Sequence, residues 1–255
     1  MLSVNKSPTW FLLTNLIIFT LYSTPSLAVD WESVLTLRDR PEADRARDEQ
    51  RKPRQTLEFF GIGTGQKVGE FLAGSGYYTR ILSAAVGQSG VVHSGNNPGY
   101  LKYFKEAWDT VFETATFANV TRIDGRAPSV ALPQDGSLDA VIIILAYHDL
   151  YLEGFSLTAE DRAKTNTRIF NALKPGGVYG IVDHHAQDGQ KTKDANKLHR
   201  IEESTVIDEI TAAGFTLAAK GDFLRNREDD RTGSVFDENI RSNTDRFVLR
   251  FEKPE

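Results

Sequence analysis

The stretch Gln66-Lys67-Val68-Gly69-Glu70-Phe71-Leu72-Ala73-Gly74-Ser75-Gly76-Tyr77-Tyr78-Thr79-Arg80-Ile81-Leu82 constrains the fold more than any other part of the chain. Val68 to Leu72 has the make-up of a short buried strand, Gly74 and Gly76 mark a tight turn, and a helix is expected from about Tyr77. Glycine accepts positive φ and leaves room for a ligand against the backbone. A helix that starts directly after such a turn presents unpaired N–H groups and the positive end of its dipole. Glu70, just before the turn, is placed to accept hydrogen bonds from a hydroxyl or an ammonium group. This is the layout of a nucleotide or nucleoside site at the carboxyl end of the first strand of an α/β sheet. Glycine turns of this kind also serve strand-to-helix packing, and the pattern alone does not choose between the two.

Downstream, strand and helix patterns alternate, as they do in a parallel sheet with crossover helices. Strands are expected at Val91–Ser94, Val120–Ile123, Ala140–Ala146 and Val178–Val182. Ala140–Ala146 is a continuous apolar run rich in β-branched residues, the mark of a central strand buried on both faces. Helices are expected over Tyr78–Val86 and Tyr100–Thr114, the second with its aromatic residues in the core. Thr158-Ala159-Glu160-Asp161 reads as a capping box opening another helix, and Lys174-Pro175-Gly176-Gly177 as its stop. A helix over Ile201–Ala213 and strands at Phe215–Ala219 and Arg246–Phe251 close the chain.

The first 60 residues differ in character. Residues 1–28 hold one charged side chain, Lys6, then an apolar run from Trp10 to Tyr22 and the small residues of Ser26-Leu27-Ala28. This reads as a secretory signal peptide cleaved after Ala28, because the run is short for a bilayer span. A periplasmic or secreted location is expected, with no stable membrane span after removal of the leader. Residues 29–60 are helical in pattern and crowded with charge, mostly a solvated face with pairs such as Asp44–Arg47 and Asp48–Lys52. Arg47, Asp48 or Arg51 could instead fold over the glycine turn as a lid.

Composition narrows the chemistry. The 255 residues include no cysteine, which excludes disulfides, thiolate metal sites and cysteine nucleophiles. Net charge is −5 without a dense basic run, so nucleic acid is not an expected partner. Tyr147, His148 and Asp149 follow the fourth strand, and Asp183, His184 and His185 follow the fifth. Ligands bind at the carboxyl ends of strands in open α/β sheets, so these are site candidates; a loop whose side chains satisfy local backbone is the alternative.

Three pieces together resemble the class I S-adenosylmethionine-dependent methyltransferases. They are Val68 to Gly76, the Leu132-Pro133-Gln134-Asp135-Gly136-Ser137-Leu138-Asp139 turn, and Leu173-Lys174-Pro175-Gly176-Gly177. Within the superfamily the chain is most similar, from about Arg40 to the C-terminus, to a group of exported bacterial predicted methyltransferases. Arg47-Asp48, Gly76-Tyr77-Tyr78-Thr79, Tyr147 to Tyr151, Leu198-His199-Arg200-Ile201 and Thr244-Asp245-Arg246-Phe247 fit that group best.

The resemblance implies a doubly wound α/β domain over 61–255, with a mostly parallel, seven-stranded, Rossmann-like sheet and residues 29–60 as an N-terminal helical extension. It implies methyl transfer from S-adenosylmethionine to a small-molecule or protein acceptor. Glu70, Gly74, Ser75, Gly76, Asn96, Asp124 and Tyr147 would bind the cofactor. Two departures stand out: Leu72 replaces the first of the usual three glycines, and Asn96 stands where an acid usually reads the ribose.

For catalysis, His148 or His184 is expected as the base, oriented by Asp149 or Asp183. A metal site is the rival, but no His-Glu-x-x-His or similar spacing appears, and no metal ligands are expected. A second reading follows from export, since the cofactor is made in the cytoplasm. In it, the chain is an exported binding protein that keeps this fold and holds another small ligand.

Overall fold

The computed structural model describes residues 28–115, 117–125 and 131–255. The expected leader over residues 1–28 lies outside them except for Ala28. Four short helices come first: α1 (Trp31–Leu35), α2 (Glu42–Arg45), α3 (Asp48–Arg51) and α4 (Pro53–Phe59). Then follow β1 (Lys67–Phe71), α5 (Tyr77–Val86), β2 (Val91–Gly95), α6 (Pro98–Thr114), β3 (Val120–Arg122) and β4 (Leu138–Ile144). The last elements are α7 (Ala159–Ala172), β5 (Leu173–His184), α8 (Ala195–Leu198), α9 (Glu203–Ala212), β6 (Thr216–Gly221) and β7 (Arg246–Glu252).

The strands form one seven-stranded sheet in the order β3-β2-β1-β4-β5-β7-β6. β1 to β5 run parallel, and β7 is antiparallel to both its neighbours. Apolar residues bury both faces. On β4, Val141 and Ile143 enter one core while Ala140 and Ile142 enter the other. Tyr179 and Ile181 on β5 likewise oppose Val178 and Val182. The chain order reverses between β1 and β4, and at such a switch point a crevice opens at the strand ends.

The capping box is present: Thr158 Oγ1 accepts from the Asp161 N–H, and Asp161 accepts from the Thr158 N–H. α7 ends at Ala172 as the Lys174 to Gly177 stop predicts, but that stretch lies inside β5 rather than ahead of it. There Gly176 donates to the Lys253 carbonyl and Lys253 donates back to Gly177, so the end of β7 draws the turn into the sheet.

The N-terminal segment is not a solvated face alone. Trp31, Val34, Leu57 and Phe60 are buried in the same core as α5. Arg40 is 1 % exposed, and it donates to both Asp48 oxygens (2.8 and 2.6 Å) and to the Leu35 carbonyl (2.6 Å). Asp48 therefore pairs with Arg40 rather than Lys52, whose Nζ donates to the Phe223 carbonyl instead. The Asp44–Arg47 pair forms as its spacing suggests. Among the described residues no helix is long and apolar enough to cross a membrane.

Candidate active site

After β1 the chain turns through Leu72 (φ 62°), Gly74 (φ 62°) and Gly76 (φ 80°), all left-handed. The two glycines do different things. A Cβ on Gly76 would lie 2.6 Å from Val111 Cγ2 and 3.3 Å from Trp108 Cζ3, so this glycine lets α5 pack on α6. A Cβ on Gly74 would meet only Tyr100 Cε1, at 4.0 Å, so the backbone there borders open space. The N-terminus of α5 carries no side-chain cap.

Four residues expected at the cofactor are engaged elsewhere. Glu70 is buried, and its Oε2 accepts from Thr79 Oγ1 and Ser94 Oγ, each at 2.6 Å. Burial pushes its carboxyl up to about 7 against the opposing effect of these two bonds. Asn96 holds the turn itself: Oδ1 accepts from the Gly74 N–H (2.8 Å) and Nδ2 donates to the Gly74 carbonyl (2.9 Å). Asp124 accepts from the Asn96 N–H (2.9 Å), Trp108 Nε1 (3.0 Å) and Arg122 Nε (2.6 Å). The Tyr147 hydroxyl donates to Glu209 and accepts from Asn166, both at 2.8 Å. None of the four borders the crevice.

The crevice has two adjacent parts. The first, about 330 Å³, is bordered by Gly74, Ser75, Tyr77 and the side chains of Arg47, Arg51 and Arg246. The lid expected from the N-terminal segment is thus in place for both arginines, whose guanidinium carbons sit 5.0 and 4.5 Å from the Tyr77 ring centre. Arg246 donates to the Gln50 and Ser242 carbonyls (3.0 and 2.8 Å) and to Thr244 Oγ1 (3.2 Å). Burial, with Arg51 nearby, pushes Arg246 down to about 10, and burial also lowers Arg51. No carboxylate borders this part among the described residues. The half-buried guanidiniums of Arg47 and Arg51 and the buried one of Arg246, beside an uncapped helix N-terminus, fit the carboxylate of an amino-acid moiety, and open space at Gly74 admits the backbone-hugging chain that bears it.

The second part, about 670 Å³, shares Arg51, Tyr100, Phe104, Leu145 and His184 with the first. His148, Asp149 and His199 also border it. Leu145 (φ 56°) ends β4 in a left-handed kink, and a 3₁₀ turn at His148–Tyr151 follows. Asp183, at the end of β5, anchors that turn. Its Oδ2 accepts the His148 backbone N–H and its Oδ1 faces His148 Nδ1, both at 2.7 Å. Burial alone would lower His148, but Asp183 and Asp149 more than offset it and push the imidazole up to about 10. Burial would raise Asp149, yet His148, His199 and the Tyr100 hydroxyl hold it well below the usual carboxylate range. His184 Nδ1 lies 2.7 Å from Thr244 Oγ1, and burial followed by Arg246 keeps this imidazole neutral.

Of the expected residues, the fold brings together His148, Asp149, Asp183 and His184 as one cluster and puts Gly74 and Ser75 at the first cavity. Arg246, Tyr100 and His199 were not expected at the site. Thr244-Asp245-Arg246-Phe247 and Leu198-His199-Arg200-Ile201 carried the only sequence signal for two of them. Tyr100 was hidden because its spacing matches ordinary helix-core packing.

No protein-family model matches the chain. The ubiquinone/menaquinone biosynthesis C-methyltransferase UbiE of Cronobacter sakazakii is 29% identical over 131 residues, 51% of this chain and 47% of that protein. UbiE of Proteus mirabilis is 29% identical over 132 residues, with the same shares. The match thus spans about half the length of these relatives. Among solved structures, a SAM-dependent methyltransferase from Aquifex aeolicus has a TM-score of 0.58 at 20% identity, covering 88% of this chain and 98% of that one. The [4+2]-cyclase SpnF has a TM-score of 0.56 at 16% identity, covering 80% of each chain. A strand order ending in an antiparallel β7, a glycine turn after β1 and these likenesses show that the chain has the fold of the class I S-adenosylmethionine-dependent methyltransferases.

Proposed function

We propose that the protein transfers a methyl group from S-adenosylmethionine to a small acceptor bound in the 670 Å³ cavity. One observation carries this reading: the two cavities lie side by side and share lining residues, and His184 borders both. Arg47, Arg51 and the start of α5 would hold the cofactor's carboxylate beside Gly74. The bound cofactor supplies an electrophilic methyl on a sulfonium. His184, at the junction, takes the proton that a hydroxyl or amine acceptor releases, and Thr244 orients its ring. The acceptor moves into contact with apolar walls formed by Tyr100, Phe104, Leu152 and Phe155, which suit an organic ring or chain. The leader expected at the N-terminus supports action outside the cytoplasm as part of the same proposal.

The test is calorimetric titration of the purified protein with S-adenosylmethionine and S-adenosylhomocysteine. Micromolar binding that Gly74→Val abolishes supports the reading. The absence of both heat and thermal stabilisation at millimolar ligand overturns it and leaves the binding-protein reading. Methyl transfer to a found acceptor that survives His184→Ala at full rate removes His184 from the mechanism.

A further inference from the structure

The floor of the larger cavity holds three donor atoms that converge. His148 Nε2 lies 3.0 Å from Asp149 Oδ1 and 3.2 Å from His199 Nδ1, and His199 Nδ1 lies 3.2 Å from the same Asp149 oxygen. Donors about 2.1 Å from a single ion, at angles between octahedral and tetrahedral, are separated from one another by about 3.0–3.4 Å. The triangle has that size on all three sides.

Proton bookkeeping sharpens the point. Asp183 Oδ1 sits 2.7 Å from His148 Nδ1, while its other oxygen accepts the His148 backbone N–H, so this ring nitrogen is the one set to carry a proton. With Nδ1 turned to Asp183, Nε2 is the His148 atom that faces the Asp149 carboxylate and the second imidazole. A carboxylate on the far nitrogen of a histidine is also the usual outer partner of a metal-ligating imidazole. The second oxygen of Asp149 is similarly occupied, by the Tyr100 hydroxyl. His199, at the C-terminal end of α8, is held in a left-handed conformation (φ 55°), a cost that its surroundings must offset.

We infer that His148 Nε2, Asp149 Oδ1 and His199 Nδ1 form a site for a divalent first-row transition ion, open toward the larger cavity. Two imidazoles and one carboxylate suit Zn²⁺, Fe²⁺, Co²⁺ or Mn²⁺ better than Mg²⁺ or Ca²⁺, which prefer all-oxygen surroundings. Three protein ligands leave positions for water or an oxygen of a bound molecule, the arrangement of reactive rather than purely structural sites. If the methyl-transfer proposal holds, the ion would bind a hydroxyl of the acceptor and lower its pKa, and His184 would then receive the proton. The expectation of no metal ligands came from local spacing. The donors instead come from positions 148, 149 and 199, which only the fold unites.

The test needs no activity. Chelator-treated protein is titrated with Zn²⁺ by calorimetry and with Co²⁺ by visible absorption. One equivalent of each should bind, Zn²⁺ at micromolar Kd or tighter and Co²⁺ with ligand-field bands. Asp149→Asn and His199→Ala should each weaken Zn²⁺ at least 100-fold while the far-ultraviolet spectrum and S-adenosylhomocysteine binding persist. Asp183→Asn, which alters the outer partner and the backbone bonds it accepts from His148 and His184, should weaken it about 10–100-fold, and His93→Ala, on β2, should leave it unchanged. The inference is overturned if the wild type takes up neither ion stoichiometrically, or if binding is indifferent to Asp149→Asn and His199→Ala. Because cofactor binding is read separately, failure here leaves the methyl-transfer proposal standing or falling on its own.

Discussion

The Asn96 side-chain amide grips the Gly74 peptide from both sides, accepting its N–H at 2.8 Å and donating to its carbonyl at 2.9 Å. Asparagine at the end of β2 is therefore a two-way clamp on the glycine turn. An aspartate could accept but not donate, and it would set a carboxylate against the Gly74 carbonyl with Asp124 close by. Asn96→Asp is expected to lower stability by about 1–3 kcal/mol, the cost of leaving a buried partner unsatisfied. It should also weaken S-adenosylhomocysteine binding, measured by urea denaturation and calorimetry on the same preparation. Tighter binding in Asn96→Asp would restore the diol-reading role.

Gly74 and Gly76 are two residues apart and should fail in opposite ways. Gly76→Ala places a methyl 2.6 Å from Val111 at φ 80°, which is expected to cost about 2–4 kcal/mol through overpacking and backbone strain. Gly74→Ala meets open space and carries only the left-handed penalty of about 1–2 kcal/mol. Its methyl enters the cavity, so ligand affinity should fall at least tenfold while the protein stays folded. Thermal melts with and without S-adenosylhomocysteine separate the two.

The sheet was legible because buried parallel strands are written as unbroken apolar runs, as in Ala140 to Ala146, and because Thr158 and Asp161 cap a helix by purely local bonds. Side-chain direction was not. Glu70, Asn96 and Asp124 have the residue types of a cofactor site, yet each finds partners within the protein, and a sequence does not show which partner wins. The burial of Arg40 depends on Asp48 and on α5 from the far side of the turn, so charge density alone misreads that segment as solvated. Lys174 to Gly177 end α7 as their helix-stopping chemistry predicts, but their place inside β5 is set by pairing with the end of β7. His148 and Asp183 were legible as neighbours because β4 and β5 pair in register, whereas His199 and Arg246 arrive from distant loops.

Arg51 has no carboxylate within ion-pair distance among the described residues; burial lowers its pKa, and its closest aromatic partner is Tyr77. A half-buried cation without a counter-ion costs some stability, and a bound carboxylate would offset that cost. Arg51→Met keeps much of the volume and removes the charge. The apo protein is expected to hold its stability or gain about 1 kcal/mol, while S-adenosylhomocysteine affinity drops about 10–100-fold. A variant that binds as the wild type does would show that the cofactor's carboxylate lies elsewhere.

Glu70 contributes a pH dependence to the fold. Burial, outweighing the bonds from Ser94 and Thr79, pushes its carboxyl up to about 7 in the folded protein, against an ordinary value of 4.5. A folded pKa above the unfolded one means that the folded state holds the proton more tightly. The stability this contributes is fully present below about pH 4.5 and is lost as pH rises through about 7. At roughly 1.4 kcal/mol for each pKa unit, the loss is of order 3 kcal/mol. Glu70→Gln retains an oxygen to accept from the two hydroxyls and removes the titration. Its unfolding free energy should exceed that of the wild type at pH 8, with the difference shrinking toward zero at pH 5. Denaturant melts at both pH values measure this, and a difference that is the same at both would mean that Glu70 stays ionised in the folded protein throughout.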